Sequence, residues 1–479
     1  QDTLMGDTVA EGTVAESCQE TLMVEEEPTT MMTEQETLAA TLMQQEDAAE
    51  RSQATLAATL QQEGRRLTAA TNANETLDVS MASVTSAAGR NASIFKNVSQ
   101  IVNDSEFGDD LHYYLRGFTG DSELDQLLHV VGQDKVRGWR EQLPKDTFKN
   151  VRKLGEGTYG EVFATTMNGK PVAMKIIPFQ DEVFKYDGLV NNESLKSAGQ
   201  ILPEILITRE LSSLDNEKAE FSTSNFIRLV ECHVVRGCYP EELLLEWDAY
   251  DARKGSENDR PSDYACDQSL FVCIGLALGG VDVESYKVRS EKESLSLLFQ
   301  LALALVVAEK ELEFEHRDLH IGNALVDKCG AKDEIGYRLF DRNVYLKSNG
   351  VKLSVIDFTN SRLKKEASTI YLDLEQDPEI FQGQGDYQFD IYRLMRQHNS
   401  GDWKSFAPKS NVYWLHYMAK ELILEERKKG KAKGFTKKRR QELMKLFDAL
   451  PSFDEVAAFL HSADVYELFQ EYVRFEDQQ

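Results

Sequence analysis

The sequence predicts an α+β fold with two lobes, a small β-rich lobe followed by a larger helical lobe. Alternating apolar residues predict strands over 148–175, 226–247 and 269–278, with a helix at 202–214 between the first two. Beyond 280, apolar residues recur at helical spacing, as over 295–313. Further helices are predicted over 390–396, 411–426, 437–450 and 453–460.

Composition and pattern divide the chain into four segments. They are a disordered, acidic, low-complexity tail (1–106), an ordered N-terminal extension (107–147), the β-rich lobe (148–280) and the helical lobe (281–479). Most of the tail has no aromatic residue and cannot bury enough apolar area to offset chain entropy. It repeats Thr-Leu units, which we interpret as docking or phosphorylation sites, with low-complexity drift as the alternative.

The net charge and the cysteines exclude several classes of protein. With 81 acidic and 54 basic residues the formal charge is -27, so a general nucleic-acid surface is not expected and basic peptides are the natural partners. The 6 cysteines form neither a paired CxxC pattern nor a disulfide framework, which favours a reducing compartment. The most apolar stretch, 295–308, is too short to span a bilayer, so no membrane partner is expected.

The segment from His316 to Asn323, followed by Asp357, predicts a phosphoryl-transfer site. Transfer of the terminal phosphoryl group of ATP needs one carboxylate that orients the attacking hydroxyl. It also needs a carboxylate and a neutral oxygen that hold magnesium against the phosphates. Asp318 is the candidate for the first role, and Asn323 with Asp357 for the second.

The remaining parts of a nucleotide site precede that segment in order. A glycine-rich loop spans 154–163, and an apolar strand then carries Lys175, whose ammonium is suited to phosphate oxygens. Glu204 and Glu210 on the next helix are both candidates for its partner. Each of these elements alone more often has a structural role. Their occurrence together and in this order is what indicates ATP binding. The expected nucleotide contacts are Gly155, Gly157, Gly160, Val162, Ala173, Lys175 and the hinge residue Gly279, together with Asn323 and Asp357.

Four stretches of the chain resemble the haspin kinases, one branch of the protein-kinase superfamily. The stretches are 201–207, 314–323, 385–394 and 411–417, and the Asp-Tyr-Gln-Phe-Asp-Ile-Tyr-Arg run at 386–393 is the most specific of them. The resemblance implies a bilobal protein-kinase fold and a serine/threonine kinase that phosphorylates a threonine near the N-terminus of histone H3 in mitotic chromatin. It also implies a location in the nucleus and on chromosomes, and it favours Glu204 over Glu210 through the Leu-Pro-Glu context.

Two departures from ordinary kinases agree with this branch. Thr359 replaces the glycine of Asp-Phe-Gly, and no Ala-Pro-Glu follows. Because threonine is sterically more restricted than glycine, we hypothesise that the active arrangement is held without phosphorylation of the segment after Phe358. Departures from the branch also occur, since Gln384 replaces an acid that is common before Gly385.

A basic histone tail requires carboxylates on the enzyme. Asp282, Glu284 and Asp386 lie on segments expected to border the cleft, with a role as solvated surface acids as the alternative. A basic cluster at 428–440 is compatible with nuclear import or with contact to nucleic-acid phosphates, and a solvated helix face is the alternative.

Two further expectations concern topology and function. Asn349-Gly350 lies between alternating segments and predicts a tight hairpin. The alternative to an active kinase is a pseudokinase scaffold that recruits chromatin or cell-division proteins through its domain and its tail. The complete set of catalytic motifs argues against the scaffold.

Overall fold

Two lobes, one dominated by a sheet and one by helices, make up the described part of this computed structural model. The structure describes residues 111, 113–157, 159–340, 342–424 and 435–477. The predicted tail, 1–106, lies outside the described residues, as does the 428–434 part of the basic cluster. The predicted α+β class and two-lobed fold are confirmed.

The described strands form four sheets. The strands are β1 Arg137–Gly138, β2 Arg152–Gly157, β3 Gly160–Met167, β4 Lys170–Gln180, β5 Lys196–Ser197, β6 Ser222–Thr223, β7 Leu229–Arg236, β8 Leu270–Ala277, β9 Val281–Asp282, β10 Ala324–Lys328, β11 Glu334–Leu339, β12 Arg342–Lys347, β13 Val351–Val355, β14 Leu363–Lys365, β15 Ser368–Ile370 and β16 Val473–Asp477. A seven-stranded sheet has the order β1-β7-β8-β4-β3-β2, with β5 beside β4; the others are β13-β10-β9, β16-β12-β11-β6 and the pair β14-β15.

Helices supply most of the second lobe. The α-helices are α1 Glu123–Val131, α2 Trp139–Gln142, α3 Ala198–Ser212, α4 Glu241–Lys254, α5 Glu291–Leu312, α6 Tyr387–Asn399, α7 Lys409–Ala419, α8 Lys437–Phe447, α9 Val456–Leu460 and α10 Ala463–Gln470. Short 3-10 turns cover Ser213–Asp215, Pro261–Asp263, Ile321–Asn323, Leu374–Gln376, Pro378–Phe381 and Leu450–Ser452, and a π turn covers Lys420–Leu424. None of the described helices is long and apolar enough to cross a membrane.

Helix α5 is the centre of the second lobe. Ser290 caps its N-terminus by accepting a hydrogen bond from the backbone N–H of Glu293, and the following residues are buried on every face. A helix that is apolar all round must lie inside a core rather than on a surface. This helix therefore supports the sheet β13-β10-β9, whose strands flank the loops that carry the catalytic segments.

Helix α3 is positioned by the extension that precedes the first lobe. Ser197 and Gln200 form a reciprocal capping box at its start. Glu123 of α1 accepts a 2.9 Å hydrogen bond from the backbone N–H of Gly199, and Arg209 donates to the carbonyl of Val130 at 3.3 Å. The 107–147 segment is thus tied to both ends of the helix that carries Glu204.

The chain crosses between the lobes at the glycine pair. Strand β8 ends at Ala277, and Val281 then pairs with Val326 in the sheet of the second lobe. Gly280 has a φ of +92°, and a Cβ there would lie 2.2 Å from the Val326 carbonyl oxygen. Only glycine fits this crossing without displacing the backbone.

Two topological expectations are wrong. The predicted strand 226–247 ends at Arg236, and 241–247 begins helix α4, which buries Leu243, Trp247 and Tyr250 at helical spacing. Asn349 and Gly350 do form a tight turn, with φ values of +52° and +90°. The strands on either side do not pair, because β13 pairs with β10 while β12 pairs with β11 and β16.

Candidate active site

Lys175 lies between two carboxylates at the back of the cleft. Its ammonium is 2.6 Å from Glu204 Oε1 and 3.9 Å from Asp357 Oδ2. Burial opposes the charge of Lys175, but the Asp357 and Glu204 carboxylates outweigh it and raise the pKa of Lys175 above its ordinary value. Glu210, the alternative partner, instead lies 3.9 Å from Lys365. The geometry therefore selects Glu204.

Strand register places the predicted nucleotide-contacting side chains on one face of the first sheet. Val162 is directly opposite Lys175, and Ala164 is opposite Ala173. Directly opposed residues of antiparallel strands point to the same side of a sheet, as do residues two positions apart. Val162, Ala173 and Lys175 consequently share one face.

The three loop glycines have different surroundings. A Cβ at Gly155 or Gly157 would meet nothing within 4 Å, so these positions are open on the protein side. At Gly160 a Cβ would lie 2.0 Å from the Ile176 carbonyl oxygen, so this glycine is required by packing against β4. Gly279 is buried at the hinge, where a Cβ would lie 2.7 Å from Leu325.

Residues 256–258, which follow helix α4, form hydrogen bonds with the glycine-rich loop. The sequence did not predict this contact. The Asn258 amide donates to the Gly157 carbonyl at 3.1 Å and to Glu161 Oε1 at 2.9 Å. Ser256 Oγ donates to Glu156 at 2.6 Å. Backbone and side chains of the loop are therefore both held from outside.

Below the same loop, a lysine is completely buried. Lys153 forms ion pairs with Glu156 at 2.6 Å and Glu161 at 2.5 Å, and its ammonium lies 5.1 Å from the Trp247 ring and 4.4 Å from the Tyr250 ring. Its two carboxylate partners and the electron-rich ring faces offset the loss of hydration. This cluster fixes the base of the glycine-rich hairpin.

Asp318 is presented by a strained, buried loop. Arg317 has a φ of +64°, is fully buried, and pairs with Glu315 at 3.1 Å while donating to the Trp403 carbonyl at 2.6 Å. His316 accepts from the Asp318 backbone N–H at 3.3 Å through Nδ1, so its Nε2 donates to the Ile356 carbonyl at 3.1 Å. These two side chains act as scaffold and hold the following aspartate in place.

The Asp318 carboxylate has three polar neighbours. Tyr392 donates its phenolic hydrogen to Oδ1, the Asn360 amide lies 3.4 Å from Oδ2, and His320 Nε2 is 3.9 Å from Oδ1. Burial is the largest influence and raises the pKa of Asp318 to about 6, against the opposing effects of His320 and Tyr392. A carboxylate with this pKa is suited to accept a proton near neutral pH.

Asn323 and Asp357 lie beside that carboxylate. The Asn323 amide nitrogen donates to the Asp318 carbonyl at 2.8 Å, which leaves its Oδ1 as an acceptor, and the Asn323 carbonyl accepts from Ile356 at 3.0 Å. Asp357 has a φ of +59°. Burial raises the pKa of Asp357. Lys175 and two hydrogen bonds from Thr359 outweigh this effect and lower the pKa to about 2.

The predicted substrate carboxylates have structural duties as well. Asp282 accepts from the Ser285 backbone N–H at 2.6 Å, and Asp386 caps helix α6 by accepting from the Gln388 N–H at 2.9 Å. Glu284 is partly buried near Asp282 at the start of the second lobe. Their role toward a substrate stays a prediction.

Three further residues near the cleft escaped the sequence analysis. Lys196 is buried, with its ammonium 3.6 Å from the centroid of the Tyr159 ring, and burial lowers the pKa of Lys196 to about 8. Asp377 is buried in the second lobe, where burial raises its pKa to about 6. Tyr159 stands inside the quoted glycine-rich motif, but nothing in the sequence connects it with the other two.

The arrangement defines a class of protein. A lysine paired with a helical glutamate, a loop aspartate beside an asparagine, and a second aspartate facing the lysine are the parts of a protein-kinase site on a protein-kinase fold.

Comparison with known proteins narrows this class. The family model described as "Haspin like kinase domain" matches residues 93–465. Serine/threonine-protein kinase haspin of Bos taurus is 40% identical over 304 residues, covering 63% of this chain and 38% of the relative. The haspin homologue of Drosophila melanogaster is 38% identical over 281 residues (57% and 48%), and that of Arabidopsis thaliana is 34% identical over 312 residues (64% and 50%).

The chain belongs to the haspin-like kinase family, since the family model covers most of its length. It spans about half the length of these curated relatives or less.

Proposed function

We propose that this protein is an ATP-dependent serine/threonine protein kinase. The observation that carries the proposal is that Lys175 and Glu204 of the first lobe meet Asp357, which lies beside Asp318 and Asn323. The five side chains come from four separate parts of the sequence, and Lys175, Asp318 and Asp357 are buried groups whose pKa values suit their proposed roles.

The residues present fit a magnesium-bound nucleotide. Asp357 stays ionised at neutral pH, and Asn323 has a free amide oxygen because its nitrogen is already bonded to Asp318. Magnesium prefers such oxygen ligands and takes its remaining ligands from phosphates and water. When bound, it neutralises charge on the phosphates. Lys175 binds phosphate oxygens, and Glu204 fixes its position.

In the proposed transfer step, the substrate hydroxyl attacks the γ-phosphorus of ATP and the bond to the bridging oxygen breaks. Asp318 Oδ2 accepts the hydroxyl proton, and ADP is the leaving group. The Asn360 amide is the one polar contact described for that oxygen, and at 3.4 Å it leaves Oδ2 accessible.

As substrate we propose a threonine near the N-terminus of histone H3, phosphorylated in mitotic chromatin in the nucleus. The resemblance to haspins supports this choice, together with the net charge of -27 and the acids Asp282, Glu284 and Asp386. The described end of the basic cluster is partly used within the protein, since Arg439 pairs with Glu291 at 2.8 Å and Arg440 donates to the Ile423 carbonyl at 2.8 Å. A nuclear-import role would therefore depend on the lysines of the cluster.

Radiolabelled ATP and a histone H3 tail peptide test the activity. We expect the full chain to label the peptide, and Asp318→Asn to bind ATP with unchanged affinity while losing most transfer. A peptide with its threonines changed to alanine should remain unlabelled. If the full chain binds the peptide but labels nothing, the pseudokinase scaffold is the correct interpretation.

Charge-neutralising substitutions test the peptide site. Asp282→Asn, Glu284→Gln and Asp386→Asn together keep the local backbone hydrogen bonds while removing three charges. We expect a higher KM for the basic peptide and an unchanged KM for ATP. Neutralising Asp464 and Glu467, exposed acids on helix α10, controls for the loss of negative charge elsewhere on the surface. An unchanged peptide KM in the triple variant would remove these residues from the site.

A further inference from the structure

The most specific sequence motif of the chain has a polar side chain that reaches the catalytic aspartate. Tyr392, within the 386–393 run, is buried on helix α6, and its hydroxyl donates to Asp318 Oδ1. The motif is specific to the family, but none of the residues assigned to the proposed transfer step belongs to it.

Other polar residues of the motif have partners outside the reaction. Tyr387 bonds to His416 Nδ1 at 2.8 Å, Arg393 donates to the Gly383 carbonyl at 2.8 Å, and Asp386 caps the helix. These contacts fix helix α6 against its neighbours. The helix is thus a rigid support from which the Tyr392 hydroxyl projects.

The surroundings of Tyr392 leave its hydroxyl little choice of partner. Its ring packs edge-on against Trp414, with centroids 5.4 Å apart, and both residues are buried. Burial and the nearby Asp318 carboxylate raise the pKa of Tyr392 well above its ordinary value, so the phenol stays a neutral donor. A buried hydroxyl that lost this acceptor would be left unsatisfied.

The bond makes the two oxygens of Asp318 unequal. Free rotation about the Cβ–Cγ bond would exchange Oδ1 and Oδ2, whereas a hydrogen bond from the fixed phenol keeps Oδ1 in one place. Oδ2 then has only the 3.4 Å contact from Asn360 among the contacts described for it. One carboxylate oxygen is anchored, and the other remains available to a hydroxyl.

We propose that Tyr392 is a positioning residue for phosphoryl transfer, which holds Asp318 so that Oδ2 faces the hydroxyl of the substrate. This inference rests on the proposed kinase activity. The family-specific motif then contributes to the chemical step, because it supplies both the rigid helix and the hydroxyl donor of Tyr392.

Tyr392→Phe removes the donor and keeps the ring. Hydrogen bonds to charged groups contribute enough that we expect the single-turnover rate of peptide phosphorylation to fall by about 10-fold to 100-fold. KM for ATP and for the peptide should change by less than about twofold, because an interaction of Asp318 alone does not bind either substrate. Rates are normalised to folded sites by titration with ADP, so that partial unfolding does not imitate slow transfer.

Tyr387→Phe is the matched control. It removes a partly buried tyrosine hydroxyl from the same helix, but one that bonds to His416 and not to Asp318. We expect its single-turnover rate to stay within about twofold of the parent. An equal loss in both variants would show that the helix is merely sensitive to mutation and would overturn the proposal.

A double-mutant cycle separates positioning from a general structural role. In an Asp318→Asn background the carboxylate that Tyr392 serves is already gone, so adding Tyr392→Phe should leave the residual rate unchanged. A further slowing by the same factor as in the parent chain would refute action through Asp318. If the parent chain phosphorylates no peptide at all, the proposed function fails instead; a Tyr392→Phe variant with full activity refutes only the present inference.

Discussion

Thr359, which stands where ordinary kinases have glycine, offers a direct test of how the magnesium-binding loop is held. Its hydroxyl donates to Asp357 Oδ1 at 2.8 Å and lies 3.4 Å from Glu204 Oε2. Its backbone N–H also reaches Asp357 Oδ1 at 3.3 Å. Thr359→Val keeps the size and branching of the side chain and removes only the hydroxyl.

The expected magnitude follows from the charge of the acceptor. A hydrogen bond to an ionised carboxylate contributes roughly 1.5–3 kcal/mol, or about 10-fold to 150-fold in the equilibrium between held and released loop. Lys175, at 3.9 Å from Asp357, continues to hold the loop in the variant. We therefore expect the lower end, a fall of about 10-fold in kcat/KM for ATP.

The assay compares three chains. Thr359→Ser keeps the hydroxyl and should remain within about threefold of the parent, while Thr359→Val should lose activity. Amide hydrogen exchange over 356–360, measured without nucleotide, should be faster in Thr359→Val alone. If Thr359→Val matches the parent in both kcat/KM and amide exchange, the hydroxyl does not hold the loop. Only the restricted backbone of threonine would then favour the active arrangement.

The same region bears on activation without phosphorylation. Between Phe358 and Gln382 the serine and threonine residues other than Thr359 are Ser361, Ser368 and Thr369. Ser361 is fully buried and donates to the His316 carbonyl at 3.0 Å, and Ser368 is also fully buried and accepts from the Tyr113 N–H. A phosphate at either site would displace packed structure. Alanine at all three positions should thus leave the chain active, and loss of activity would contradict the hypothesis.

Three further predictions concern the scaffold of the site. Lys153→Met leaves the buried Glu161 without its cation and should lower the free energy of unfolding by about 3–5 kcal/mol in urea titrations. Burial already raises the pKa of Glu161, so the deficit should be larger at pH 8 than at pH 5, where the carboxyl takes up a proton. Asn258→Ala should speed amide exchange in the glycine-rich loop and accelerate ADP release several-fold, measured by stopped flow. Burial lowers the pKa of His316 to about 4, so its protonation favours the unfolded chain as pH falls below 6.5, and stability should be about 2 kcal/mol lower at pH 5 than at pH 7.

The chemical residues were predictable because each lies in a short motif whose local form determines its place. Asp318 and Asn323 are five positions apart on one loop, and Asp357 follows a buried strand. Their meeting with Lys175 followed from the ordered set of motifs. Their supports were not predictable, because the contact between Tyr392 and Asp318 joins residues 74 positions apart through tertiary packing.

The wrong topological expectations have a similar cause. Asn349-Gly350 does have the left-handed backbone of a hairpin turn, but which strands pair is decided by competition among distant partners, and β13 pairs with β10. The Leu243-Leu244-Leu245 run suggests a strand, yet only a helix buries Leu243 together with Trp247 while leaving Leu245 exposed. Local pattern indicates local conformation, and burial on the partner surface decides between alternatives.

The parts that move in ordinary kinases are each held here by a side chain from elsewhere in the chain. Asn258 grips the glycine-rich loop, Thr359 holds Asp357, and Tyr392 holds Asp318. Helix α3, which carries Glu204, is bonded near both ends to the extension before the first lobe. Phosphorylation of a loop controls a kinase by ordering such parts, and an enzyme in which they are already ordered gains little from it. We therefore expect control of this protein to act on access of the peptide rather than on assembly of the site.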